Sequence, residues 1–160
     1  MRVDLFRFLV GPLVLVFAAA GSAAAQETPV VGTWTLDMKA SQNVPEAQKG
    51  VDLKISVDGK LLTTARFAGE KAVGEPAVLI LDGVSRPQDV GGQKANVVAK
   101  WLKPGVAYEH VVSMNQAGSV FSTTQKVVTE VSPTGTTLTR RYEIRRAQES
   151  QDRLLVYRRK

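Results

Sequence analysis

The chain has 160 residues, a formal charge of +6 at pH 7, no cysteine and a single histidine. Disulfides and thiolate metal sites are thereby excluded, and His110 has no second imidazole with which to build a zinc or copper site. No cofactor is expected.

Residues 1–25 read as a cleavable export signal. Arg2 and Arg7 form a charged start, the stretch 8–20 is apolar apart from Gly11 and Pro12, and small residues lead to Ala23-Ala24-Ala25-Gln26. Alanine at both specificity positions predicts cleavage after Ala25. An uncleaved anchor fits less well, because the apolar run is shorter than the ~20 residues a bilayer-spanning helix needs. No later segment is long and apolar enough to span a membrane. The expected location is the periplasm or the exterior, and residues 26–160 have the length of one domain with its own core.

In that remainder, helical periodicity is almost absent, whereas β-branched residues and turn dipeptides recur at short intervals. A first strand is expected over 30–36. A long loop with one helical turn around 45–49 follows. Residues 51–57 alternate strictly between apolar and polar, Asp58-Gly59 comes next, and a second run begins at Lys60 and ends at Phe67, which together spell a hairpin. Further runs cover 77–81, 95–103, 106–114, 119–131, 136–146 and 153–158, separated by Gly- and Pro-containing turns. The stretch 84–93, with Pro87 and Gly91-Gly92, reads as a loop over a barrel mouth. The fold class is therefore all-β, an antiparallel up-and-down meander of about eight to ten strands that closes into a barrel to remove its edges. A two-sheet sandwich is the alternative.

Alternation also assigns faces. Tyr108 and His110 share a face with Val106, Val112 and Met114; Trp101 shares one with Val97 and Ala99; and Phe67 shares one with Leu61 and Ala65. Leu138, Arg140, Tyr142 and Ile144 form another, so Arg140 stands where an apolar residue is expected. An unpaired buried charge is costly, and Arg140 therefore needs a partner or a wet cavity. In a ligand-binding barrel it would anchor a carboxylate or other anion, with Tyr108, His110 and Tyr142 as hydrogen-bonding neighbours. Two plainer outcomes stay open: a β-bulge that turns Arg140 outward, or an internal glutamate that pairs with it.

Gly32-Thr33-Trp34, with an arginine near the end of the chain, is similar to the opening signature of the lipocalin and calycin barrels. That resemblance implies that Gly32 permits a close backbone approach. It also implies that Trp34 closes the barrel base under an arginine from the last strand, Arg158 or Arg153. The segment Gly32-Thr33-Trp34-Thr35-Leu36 followed by Lys39-Ala40-Ser41 also resembles a class of small exported bacterial β proteins, as does Thr136-Thr137-Leu138-Thr139 ahead of Val156-Tyr157.

No Walker-type loop, dinucleotide fingerprint or Gly-x-Ser-x-Gly elbow occurs, and Glu75, Asp82, Glu109 and Glu130 single out no carboxylate pair. Catalysis is not expected. The expected function is the binding of a small apolar or amphipathic ligand inside the barrel, with Arg140, His110, Tyr108, Tyr142, Trp101 and Phe67 as contacts. The alternative is an envelope-associated protein whose basic residues, Arg140, Arg141, Arg145, Arg146 and Arg158-Arg159-Lys160, hold an anionic partner. A solvated strand edge accounts for the same residues. No nucleic-acid partner is expected, because no aromatic residues interleave the basic run.

Overall fold

The structure is a computed structural model that describes residues 28–115 and 122–160. The export signal expected over 1–25 and the beginning of the run expected from residue 119 lie outside the described residues.

The described residues form eleven strands: β1 (Gly32–Leu36), β2 (Asp52–Asp58), β3 (Leu61–Ala68), β4 (Lys71–Ala72), β5 (Ala77–Ile80), β6 (Arg86–Val90), β7 (Gln93–Lys103), β8 (Ala107–Asn115), β9 (Ser122–Val131), β10 (Thr137–Arg146) and β11 (Glu149–Arg159). They make one antiparallel sheet in the order β4-β3-β2-β1-β11-β10-β9-β8-β7-β6, with β5 added on β3. A single continuous sheet in which the first strand lies beside the last is the up-and-down arrangement, not a sandwich. The 3₁₀ turn Glu46–Gln48 sits inside the long loop after β1, where one helical turn was expected.

Two strands exceed the expectation. β4 is only two residues long, and β6 occupies the stretch expected as a loop over the mouth. Pro87 and the two glycines hide β6 in the sequence, yet each has a place in it. β6 pairs only with β7, so a proline without an N–H is tolerated on this edge strand. Gly91 and Gly92 have φ of 60° and 80°, the paired left-handed conformations of a tight two-residue hairpin.

The two ends of the sheet meet imperfectly. β5 pairs with β3 and β6 with β7, and the wall between them is joined by the segment after β5. There Leu81 bridges Ala99, Asp82 bridges Lys100, and the Gly83 N–H donates to the Ala99 carbonyl at 2.7 Å. The Asp82 carboxylate also takes both terminal nitrogens of Arg86, at 2.7 and 2.6 Å. These bonds from Arg86, with the Val84 N–H, hold the Asp82 carboxyl well below the usual carboxylate range. Past this join no ladder links β5 to β6, and Gln88 Nε2 reaches the Val78 carbonyl at 3.4 Å across the seam.

At the base, Trp34 is fully buried and donates its indole N–H to the Val30 carbonyl at 3.0 Å. The arginine packed across it is Arg159, whose guanidinium carbon lies 4.3 Å from the ring centroid, and not Arg158 or Arg153. Strand alternation is the reason: Trp34 pairs with Arg159 in the β1–β11 register, whereas Arg158 points to the opposite face and binds Asp37 and Thr137. Arg159 also donates to the carbonyls of Gly135 at 2.7 Å and Val31 at 3.1 Å. Gly32 is required here. A Cβ on it would lie 2.8 Å from Arg159 Nη1, and its φ of 144° disfavours any side chain.

Outside, basic and acidic residues pair: across strands Lys100 and Lys126 flank Glu109 and Arg141 approaches Glu130, and within β10 Arg145 approaches Glu143. Such exposed pairs are each worth little, but they make this wall a mixed-charge surface.

Trp34→Ala is expected to cost about 3–5 kcal/mol by leaving a cavity at the base, and Arg159→Leu about 1–2 kcal/mol through loss of its ring contact and carbonyl bonds. Urea unfolding followed by intrinsic fluorescence checks both, and equal, near-zero effects would show that the base does not hold the barrel shut.

Candidate functional site

Because neighbouring strands are paired in register, inward side chains form rows that cross the sheet. Arg140 of β10 is opposite Thr129 of β9, which is opposite Tyr108 of β8, which is opposite Trp101 of β7. The next row holds Arg153 of β11, Tyr142, Val127, His110 and Ala99. A third row, farther from Trp34, contains Ile144, Gln125, Val112 and Val97.

The first two rows are a polar belt in an otherwise apolar interior. Tyr108 and Thr129 are fully buried, Tyr142 and His110 nearly so. Trp101 is half-buried and meets Tyr108 edge to face, with centroids 6.0 Å apart. Tyr108 and His110 lie roughly parallel at 6.3 Å. The guanidinium carbons of Arg140 and Arg153 lie 5.5 and 5.4 Å from the Tyr142 ring centroid, so one aromatic ring holds two cations.

β10 keeps its register through Leu138, Arg140 and Tyr142, so no bulge turns Arg140 outward. The ion pairs formed by the described residues include neither Arg140 nor Arg153, so neither is neutralised by an internal glutamate. Five buried polar atoms in the two rows have no hydrogen-bond partner: Arg140 Nε, Arg153 Nε, Tyr108 Oη, Thr129 Oγ1 and His110 Nδ1. Native proteins leave few such groups, so a cluster of five calls for ordered water or a polar ligand to complete it.

Protonation follows from the same geometry. Burial, reinforced by the charge of Arg140, pushes His110 down to about 3, so the imidazole is neutral at physiological pH. Burial pushes the Tyr157 hydroxyl up to about 12. Burial works against the Arg140 charge, but the oxygens of Tyr142, Tyr108 and Tyr157 outweigh it and hold its pKa above the ordinary value. The belt thus holds the Arg140 charge beside a neutral His110 imidazole.

A cavity of about 560 Å³ leads toward this belt from the β5/β6 seam. Val78 and Leu79 line one side, Gln88 and Val90 the other, and Val97, Val112, Gln125 and His110 lie deeper. The lining is mixed throughout: Glu75, Gln88 and Asp89 stand among the apolar residues of the seam, and Gln125 and His110 beside Val97 and Val112. Arg66, an inward residue of β3, stands at its edge.

Phe67 does not belong to this site. In β3 the buried residues are Leu62 and Thr64, so Phe67 shares the outward face with Leu61 and Ala65. Its register partners are Asp52 and Ala72. Apolar residues occupy both faces of β3, which removes the contrast that alternation needs. Thr129 and Tyr157 carry no site assignment from the sequence, and Arg153 carries one only at the base. The alternation of Arg153, Leu155, Tyr157 and Arg159 along β11 carries the signal for two of them.

The sequence matches no family model, and no curated protein matches it. The fold does have counterparts among solved structures. Apo lipid binding protein 8 of Caenorhabditis elegans superposes with a TM-score of 0.58 at 12% identity, over 86% of this chain and 100% of that one. A Schistosoma mansoni fatty acid binding protein in complex with arachidonic acid gives 0.55 at 15% identity, over 84% and 98%. At such identities the likeness establishes the barrel fold alone.

His110 supplies a pH test. Between pH 6.5 and about 3 the unfolded histidine binds a proton that the folded one refuses, so the folded state loses stability as pH falls through that window. His110→Gln is expected to remove this component, which steepens the wild-type stability curve by up to about 1.4 kcal/mol per pH unit. Parallel wild-type and variant curves from pH 7 to 3 would show that His110 is not held neutral.

Proposed function

We propose that this barrel is an exported carrier for a small amphipathic ligand, whose anionic head sits on the Arg140–Arg153–Tyr142 belt and whose apolar tail lies along Val112, Val97 and Leu79 toward the seam. The observation that carries the reading is the two guanidiniums that share the Tyr142 ring without an acidic partner among the described residues, in and beside the row whose His110 lines the cavity. A charge so placed is costly in the empty protein and is compensated when an anion arrives. Ligand sites of this kind are mostly apolar with a few convergent polar groups. The lipid-binding and fatty-acid-binding proteins that share the fold support the same reading. Binding and release require no catalytic residue, and none is assigned.

Two results are expected. Arg140→Leu weakens laurate binding by about 10–100-fold, the worth of charge-assisted hydrogen bonds, while raising the urea midpoint of the empty protein, because an unpaired buried charge is gone. Displacement of a fluorescent fatty-acid probe and urea unfolding measure the two effects; a variant that binds laurate as wild type does would refute the anchor. For the route, a Val78→Cys/Gln88→Cys protein bridged by a short bis-maleimide is expected to take up the probe at least about tenfold more slowly than its unbridged form, as for other gated sites. Unchanged stopped-flow rates would exclude the seam.

A further inference from the structure

We infer that the preferred head group is a dianion of the phosphate monoester type, not a carboxylate. The inference rests on the carrier reading and concerns the chemistry of the same belt. Arg140 and Arg153 both point inward, share the Tyr142 ring and form no ion pair with a described carboxylate. Acids near them in sequence are turned outward: Glu130 faces Arg141, Glu143 faces Arg145, and Glu109 lies between Lys100 and Lys126. Strand alternation enforces this separation of charge. A carboxylate would neutralise one guanidinium and leave the other half-buried and unpaired, whereas a phosphate monoester carries nearly two charges at neutral pH.

The hydrogen-bonding capacity points the same way. Besides the two guanidiniums, the belt exposes the unpartnered hydroxyls of Tyr108 and Thr129 to whatever occupies it. The roughly four acceptor positions of a carboxylate would be used up by these donors, while three terminal phosphate oxygens also leave positions for the remaining guanidinium N–H groups. Arginine is also suited to bidentate bonding with phosphate. The other titratable and charged groups on this side are His110, Tyr108, Tyr142 and Tyr157, with Arg66 at the cavity edge; burial keeps His110 neutral and pushes the Tyr157 hydroxyl up.

Isothermal titration of the protein with dodecyl phosphate, laurate and inorganic phosphate, each below any micelle concentration, tests this directly. Dodecyl phosphate is expected to bind at least about tenfold tighter than laurate near pH 7.5. The advantage should shrink toward about pH 5 as the phosphate takes up its second proton near pH ~6. Arg153→Met should reduce the preference to within about threefold by removing the second charge, while circular dichroism and the urea midpoint report that the barrel remains folded. Laurate binding as tightly as dodecyl phosphate, or a phosphate advantage that ignores pH, overturns the inference and leaves the carrier reading standing. Inorganic phosphate binding as tightly as dodecyl phosphate upholds the head group and refutes the amphipathic tail. If neither amphiphile binds, both readings fall.

Discussion

A guanidinium inside a β-barrel has lost its water and must be compensated by what surrounds it. Here two are placed on adjacent strands, one row apart, and the surrounding residues follow from that. Tyr142 lies against both cations, and Tyr157 and Tyr108 add oxygens around Arg140. His110 stays neutral chiefly because burial strips its ring of water, and the Arg140 charge adds to the cost. The compensation is incomplete, as the unpartnered atoms of the belt show, and the proposed carrier function rests on that incompleteness.

The barrel tolerates this because its rigid and open parts are separated. At the base, Arg159 covers Trp34 and ties together the segments before β1 and before β10 through backbone carbonyls. At the seam, β5 and β6 lack the ladder hydrogen bonds that join the other long strands. Destabilising polar groups are thus concentrated between a firmly closed end and a wall that can give, a common compromise in binding proteins between stability and function.

How far the sequence revealed this depends on contrast along each strand. β8 and β10 alternate between bulky apolar or aromatic residues and charged or small polar ones, so Tyr108, His110, Arg140 and Tyr142 were legible as inward residues. In β3, Leu61 and Leu62 stand side by side, and a one-residue choice of phase sends Phe67 to the wrong face. The same one-residue ambiguity separates Arg158 from Arg159, and only pairing with β1 resolves it. β6 was hidden because Pro87 and Gly91-Gly92 read as loop residues unless the strand is known to lie at an edge. The convergence of Arg153 with Arg140 was invisible for a different reason: it is a property of β10–β11 register, which no single strand encodes.

The closure at the base also bears on how the chain reaches its fold. Arg159 bonds the Val31 carbonyl across a separation of 128 residues, and β1 finds its β11 neighbour across nearly the whole described chain. Local hairpins such as β2–β3 can form early, but the contact that shuts the barrel must wait for the longest loop to close. The folding rate is thereby tied to the last-made contact, and a chain in which only the hairpins have formed remains threadable. Slow closure is thus a kinetic property written into the position of one arginine.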